Sequence, residues 1–210
     1  MALTDIVGYV LHIDKHLSEA ITNYGIWIYL ILFIIVFLET GFVVTPFLPG
    51  DSLLFAAGAF AAIGKLNVFI IFLSLLIAAI LGDTINYWIG HVFGKKAFKE
   101  NSKFFKKEYL DRTGNFYKKY GRKTVVIARF MPIIRTFAPF IAGICVMNYP
   151  TFLTYNIIGG LLWVSLFVFG GYFFGNIPFV QDNFSLVILA IIFLSILPAI
   201  IEYIREKRKR

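Results

Sequence analysis

Apolar residues run along this chain in blocks, and the blocks differ in where polar residues and prolines cut into them. Residues 24–38 form a continuous apolar run that ends at Glu39, and residues 51–64 form a shorter run rich in Gly and Ala. Residues 66–93 are long enough for a full span and carry one acid, Asp83, well inside it. Residues 124–147 are apolar but broken by Arg129, Pro132, Arg135 and Pro139, whereas 152–174 and 184–204 are uninterrupted. Crossing ~30 Å of hydrocarbon takes about 20 apolar residues in a helix. The pattern predicts an all-α polytopic membrane protein with spans at 24–38, 66–93, 152–174 and 184–204. Residues 1–23 mix Asp5, Asp14 and Glu19 with apolar positions at helical spacing and lack a basic start. They predict an amphipathic segment at the headgroup level, with a loose cap standing open beside it, rather than a cleavable signal.

Composition agrees with a membrane protein. Of 210 residues, 59% are hydrophobic and 15% charged, against about 45–50% and about 25% in soluble domains. The net charge of +8 is concentrated in residues 95–123, where eleven Lys or Arg face Glu100, Glu108 and Asp111, and in the tail 205–210. Basic clusters beside apolar spans mark a cytoplasmic face. They also attract anionic headgroups, and nucleic acid is not an expected partner. With the tail and the 95–123 loop both inside, residues 124–147 must enter the membrane from the cytoplasm and return. By the same parity residues 39–64 form a hairpin entering from the outer face, and the amino terminus is cytoplasmic. The breaks fall at Pro46 and Pro49 in one hairpin and at Pro132 and Pro139 in the other. Two opposed re-entrant hairpins in an inverted-repeat-like arrangement point to a transport site near the bilayer midplane.

The charges inside these segments supply the candidate chemistry. Ionised groups at bilayer depth cost at least a few kcal/mol each, so they survive mainly where they line a site or pathway. Glu39 and Asp51 flank the first break; Arg129 and Arg135 flank Pro132. A guanidinium fork matches phosphate oxygens and stays charged, so two of them suit a phosphomonoester headgroup. The other reading is internal, with the arginines paired to Glu39 and Asp51 in a neutral structural core. Both hold together if the acids occupy the arginines when no lipid is present. A carboxylate caught between burial and a neighbouring arginine is placed to exchange protons, which would couple lipid movement to a proton gradient. For Asp51 a helix-capping role in Gly50-Asp51-Ser52 stands equally open.

Asp83, with Asn86 and Tyr87 on one helical face, is expected to support an arginine from behind. Asn156 is expected to make a helix–helix hydrogen bond and Trp163 to act as an interfacial anchor. Cys145, the single cysteine, excludes an internal disulfide and reads as a small buried packing residue. His12, His16 and His91 form no zinc motif, and there is no nucleophile elbow or phosphate-binding glycine loop. Neither a metal, a cofactor nor enzymatic chemistry is expected.

Several of these residues stand in ordered motifs: Glu39-Thr-Gly, Pro46-Phe-Leu-Pro-Gly-Asp51-Ser, Gly82-Asp83-x-x-x-Tyr87-x-x-Gly90-x-x-x-Gly94, Arg129-Phe-x-Pro132-x-x-Arg135, Ala142-Gly143 and Asn156-x-x-Gly159-x-x-x-Trp163. Together they resemble the DedA family of bacterial inner-membrane proteins, which shares a domain with eukaryotic lipid scramblases. The resemblance spans residues 24–204. His91 departs from it, since many members carry arginine there. What the resemblance implies is a lipid transporter of the inner membrane that returns undecaprenyl phosphate from the outer to the inner leaflet. On that basis the family's functional acids fall on Glu39 and Asp51, and its functional arginines on Arg129 and Arg135. The implied partners are an anionic lipid carrier, membrane phospholipids and protons, and a homo-oligomer is compatible with the sequence. Two alternatives are a non-selective phospholipid scramblase and a proton-coupled small-molecule or ion transporter.

Overall fold

The computed structural model describes residues 25–42, 50–97, 107–145, 147–184, 186–187 and 190. The expected amino-terminal segment, the basic tail, most of the expected span 184–204, and Pro46 and Pro49 lie outside the described residues. Every element among them is helical. In chain order these are α1 (Ile26–Gly41), α2 (Gly50–Ala62), α3 (Val68–Ala97), α4 (Lys107–Tyr120), a 3-10 turn (Gly121–Lys123), α5 (Thr124–Ala128), α6 (Pro132–Ile144), α7 (Tyr149–Gly175) and a short α8 (Pro178–Asp182).

Length separates these helices into two kinds. Val68–Val92 of α3 and Tyr149–Gly175 of α7 have 25 and 27 residues and are apolar enough to cross a membrane. At 1.5 Å per residue each is close to 40 Å long, more than the ~30 Å required. By contrast α1, α2 and α6 have 16, 13 and 13 residues, or about 20–24 Å. Phe69, Leu73, Ile77 and Leu81 recur every four residues along α3 and are exposed, as are Leu162, Leu166 and Phe173 on α7. A continuous apolar face of this kind is unfavourable in water and suits contact with lipid chains.

The described residues form two compact units: those within 1–31, 49–72 and 166–210 in one, and those within 32–48 and 73–165 in the other. In the first unit α2 lies backbone-to-backbone on the carboxyl-terminal part of α7. A Cβ at Gly58 would overlap the Val168 carbonyl, and one at Gly171 the Phe55 carbonyl. Phe55 and Phe60 complete the packing on Phe174 and Phe184, with ring centroids 5.4 and 5.2 Å apart. In the second unit α6 lies on α3 by equivalent means. A Cβ at Gly90 would overlap the Phe140 carbonyl, and one at Gly143 the Tyr87 carbonyl. Small residues matter here because lipid gives helices no hydrophobic drive to associate, so close van der Waals contact has to supply it.

Three expectations are corrected. Residues 95–123 are not a plain loop, since α3 runs on to Ala97 and residues 107–120 form α4. Phe116 and Tyr117 of α4 pack on the cluster of Ala128, Ile134 and Ala138, and the Tyr117 hydroxyl donates to the Ala138 carbonyl at 2.8 Å. Partial burial of these two aromatics favours a packed helix despite the basic composition. Pro139 does not break its segment but sits inside a continuous α6. The break falls instead at residues 129–131, after which Pro132 begins α6, where its missing N–H is harmless. Proline inside a helix removes one backbone bond, and the Asn86 amide donates to the Thr136 carbonyl in this same stretch of α6 at 2.8 Å. Cys145 is exposed at the end of α6, because the helix stops there and the residue falls beyond the packed face.

Candidate functional site

Within the second unit, Glu39 comes from the last turn of α1, Asp83 from the middle of α3, and Arg129 from the break between α5 and α6. Arg135 lies in the first turns of α6, and Asn156 and Trp163 lie seven residues apart on α7, hence on one helical face. The Arg135 Nη2 is 2.6 Å from Glu39 Oε1, with side chains only 9% and 2% exposed. The Arg129 Nη2 donates to the Asp83 carboxylate and to Asn156 Oδ1, the latter at 2.5 Å. The Trp163 indole is buried, with the Arg135 guanidinium carbon 4.8 Å and that of Arg129 5.9 Å from its ring centroid. Among the described residues, two cations, two carboxylates and one aromatic face are thus gathered, and these four charges sum to zero.

Local sequence explains how each side chain gets there. Arg129 can lie along α7 because Gly159 has no Cβ; one built there would sit 3.0 Å from Arg129 Cδ and 3.1 Å from its Nε. The Asn156 amide nitrogen donates to the Ile80 carbonyl at 3.0 Å, which turns its oxygen toward the guanidinium. The Asn86 amide nitrogen donates to the carbonyls of both Thr40 and Thr136, at 3.1 and 2.8 Å, tying the end of α1 to the start of α6. An acid near a helix carboxyl terminus and a base near an amino terminus are each disfavoured by the helix dipole. Glu39 and Arg135 occupy those ends of α1 and α6, so each is held by the other's charge. The amino terminus of α6 has no side-chain cap, and the Arg135 backbone N–H donates to the Met131 carbonyl at 2.9 Å.

Thr40, Asp83, Arg129, Arg135, Thr136 and Trp163 line a cavity of about 10 Å³, room for about one water. The buried Arg129 Nε has no hydrogen-bond partner among the described residues. At the edge of the unit, burial first, then Cys145 and Asp83, push the Tyr117 phenol up, so it remains a neutral donor to α6. No group of three or more potential metal ligands occurs among the described residues.

The fold brings together Glu39, Asp83, Arg129, Arg135 and Asn156 around that cavity or its ion pairs. Asp51 stands in the first turn of α2, in the first unit. The carboxylate that meets Arg129 is Asp83. Trp163, expected at a membrane interface, is instead buried beside the two guanidiniums. Thr40 and Thr136 as cavity walls and Asn86 as the clasp were not anticipated. Of these, Asn86 had a visible signal in its position, three residues from Asp83 on the same helical face.

These features define an α-helical membrane protein with a buried, charge-balanced site facing a small internal cavity. The chain belongs to the VTT-domain family, the family of DedA, whose model matches residues 48–173. It is 58% identical over 206 residues to protein DedA of Escherichia coli, covering 97% of this chain and 94% of that one. An uncharacterized membrane protein of Mycobacterium tuberculosis is 47% identical over 182 residues, 85% of this chain and 80% of the relative. The inner membrane protein YqjA of Escherichia coli is 36% identical over 152 residues, 72% and 69% of the two chains. No solved structure matches.

Proposed function

We propose that this protein carries an anionic polyprenyl phosphate, undecaprenyl phosphate by family resemblance, between the leaflets of the bacterial inner membrane, and performs no covalent chemistry on it. The observation that carries the reading is two buried guanidiniums, each closed by a carboxylate, opening on one cavity beside one indole. A purely structural role accounts poorly for this arrangement, since buried ion pairs can often be replaced by apolar packing without loss of stability. In this reading Arg129 and Arg135 hold the phosphate. The spare Nε of Arg129 is a further donor. A cavity that admits about one water is too small for a phosphate group, so the carboxylates must give way before substrate enters. Glu39, the partner of Arg135, is assigned this gating, coupled to protons, whereas Asp51 in the first turn of α2 keeps the helix-capping place that the sequence left open.

The proposed topology is multi-pass, with both termini cytoplasmic and residues 39–64 and 124–147 as opposed re-entrant hairpins. Support for an inverted repeat comes from spacing. Phe55 and Gly58 meet Val168, Gly171 and Tyr172, and Phe140 and Gly143 meet Tyr87, Gly90 and His91, with the same intervals and the same backbone atoms in contact. The test is purified protein in liposomes, offered fluorescent undecaprenyl phosphate or ordinary phospholipid, with and without a pH gradient. Faster movement of the polyprenyl phosphate that responds to the gradient is expected. Equal movement of all lipids regardless of the gradient would establish a scramblase instead, and movement of neither would leave an ion or small-molecule transporter.

A further inference from the structure

Resting on that reading, we propose that Asp83 is a second release carboxyl, so that one phosphomonoester dianion enters together with two protons, one for Glu39 and one for Asp83. The site holds Arg129, Arg135, Glu39 and Asp83, all less than a tenth exposed, and their charges sum to zero. Each guanidinium is engaged by its own carboxylate, and the two carboxylates come from different helices, α1 and α3. A dianion that takes both arginines therefore displaces both acids. If the acids stayed ionised the buried site would carry two uncompensated negative charges, each costing several kcal/mol away from water. Uptake of two protons restores neutrality: two guanidiniums balance the dianion, and two neutral carboxyls remain. A phosphodiester monoanion takes one guanidinium and needs one proton, so the same arrangement separates monoester from diester lipids.

Asp83 is placed for this exchange by its surroundings. The charged groups facing it are Arg129 and Arg135, from the break before α6 and from α6 itself. Asn156 of α7 shares Arg129 with it, and Tyr117 of α4 is the other titratable neighbour. When Asp83 becomes neutral, Asn156 Oδ1 still accepts from Arg129, so the guanidinium keeps one fixed contact and turns its remaining donors to the ligand.

Proton uptake on binding tests the stoichiometry. Farnesyl phosphate is titrated into the detergent-solubilised protein at pH 8, where a phosphomonoester is a dianion because its second pKa is about 6. Calorimetry in two buffers of different ionisation enthalpy then gives the protons bound per ligand. Two are expected for the native chain, falling to one in Asp83→Asn and to one in Glu39→Gln, and a phosphatidylglycerol probe should take up one. Uptake of one proton or none by the native chain, or of two by a folded Asp83→Asn, overturns the proposal while leaving phosphate binding intact. Absence of binding by the native chain would sink the carrier reading as well. Should Asp83→Asn fail to fold, the native count and the Glu39→Gln count still decide.

Discussion

Glu39→Gln is the most informative single change, because the amide keeps the shape of the side chain and removes only its charge. The Arg135–Glu39 contact is 2.6 Å, and at an effective dielectric of about 20 the gross attraction is about 6 kcal/mol. Part of that offsets the desolvation of both ions, and removing one partner of a buried pair costs about 3–5 kcal/mol. The loss is compounded by the helix dipole, since Arg135 near the amino terminus of α6 is left without its counter-charge. For a chain of this size 1 kcal/mol shifts the melting temperature by about 2–4 °C, so a fall on the order of 10 °C is expected. Thermal unfolding in detergent, followed by intrinsic tryptophan fluorescence, measures it. Adding farnesyl phosphate should raise the melting temperature of Glu39→Gln by more than that of the native chain, because the ligand supplies the missing negative charge and displaces no carboxylate there. A variant that melts with the native protein would refute a buried, energetically coupled pair. Equal ligand shifts in both proteins would refute competition between Glu39 and phosphate.

Other changes test the remaining links. Arg135→Lys keeps the charge but loses the planar fork over Trp163, so transport of polyprenyl phosphate in liposomes should fall at least tenfold while the protein still folds. Gly143→Ala places a methyl group against the Tyr87 carbonyl and should destabilise by about 1–3 kcal/mol. Gly114→Ala, in α4 with nothing within 4 Å, should instead stabilise by about 0.5–1 kcal/mol, and denaturant titration separates the two. Asn156→Leu leaves an Arg129 donor without its acceptor, at about 1–3 kcal/mol. Its loss should not add to that of Asp83→Asn, since both act on one guanidinium, which a double-mutant melting series would check.

That this is a helical membrane protein with unusual charges was legible segment by segment. Stretches such as 68–92 and 149–175 contain enough apolar residues to be read as spans without any partner, because bilayer thickness alone sets their length. Glu39, Arg129 and Arg135 were visible for the same reason: ionised groups among apolar residues are expensive wherever they end up. The order of the motifs also carried the family. Which charge meets which was decided only in three dimensions. Asp83 and Arg129 are 46 residues apart, and nothing local favours that pair over one with Asp51; the approach of α7 to Arg129 at Gly159 and to α3 at Asn156 selects it. The same holds for Trp163, whose composition suits an interface equally well, until the fold turns its helix face toward two guanidiniums. Pro139 stays inside α6, and α4 forms from basic sequence, because contacts contributed by distant residues outweigh local preference. Chain length and charge are properties of single segments, whereas pairing is a property of neighbours, and helix packing chooses the neighbours.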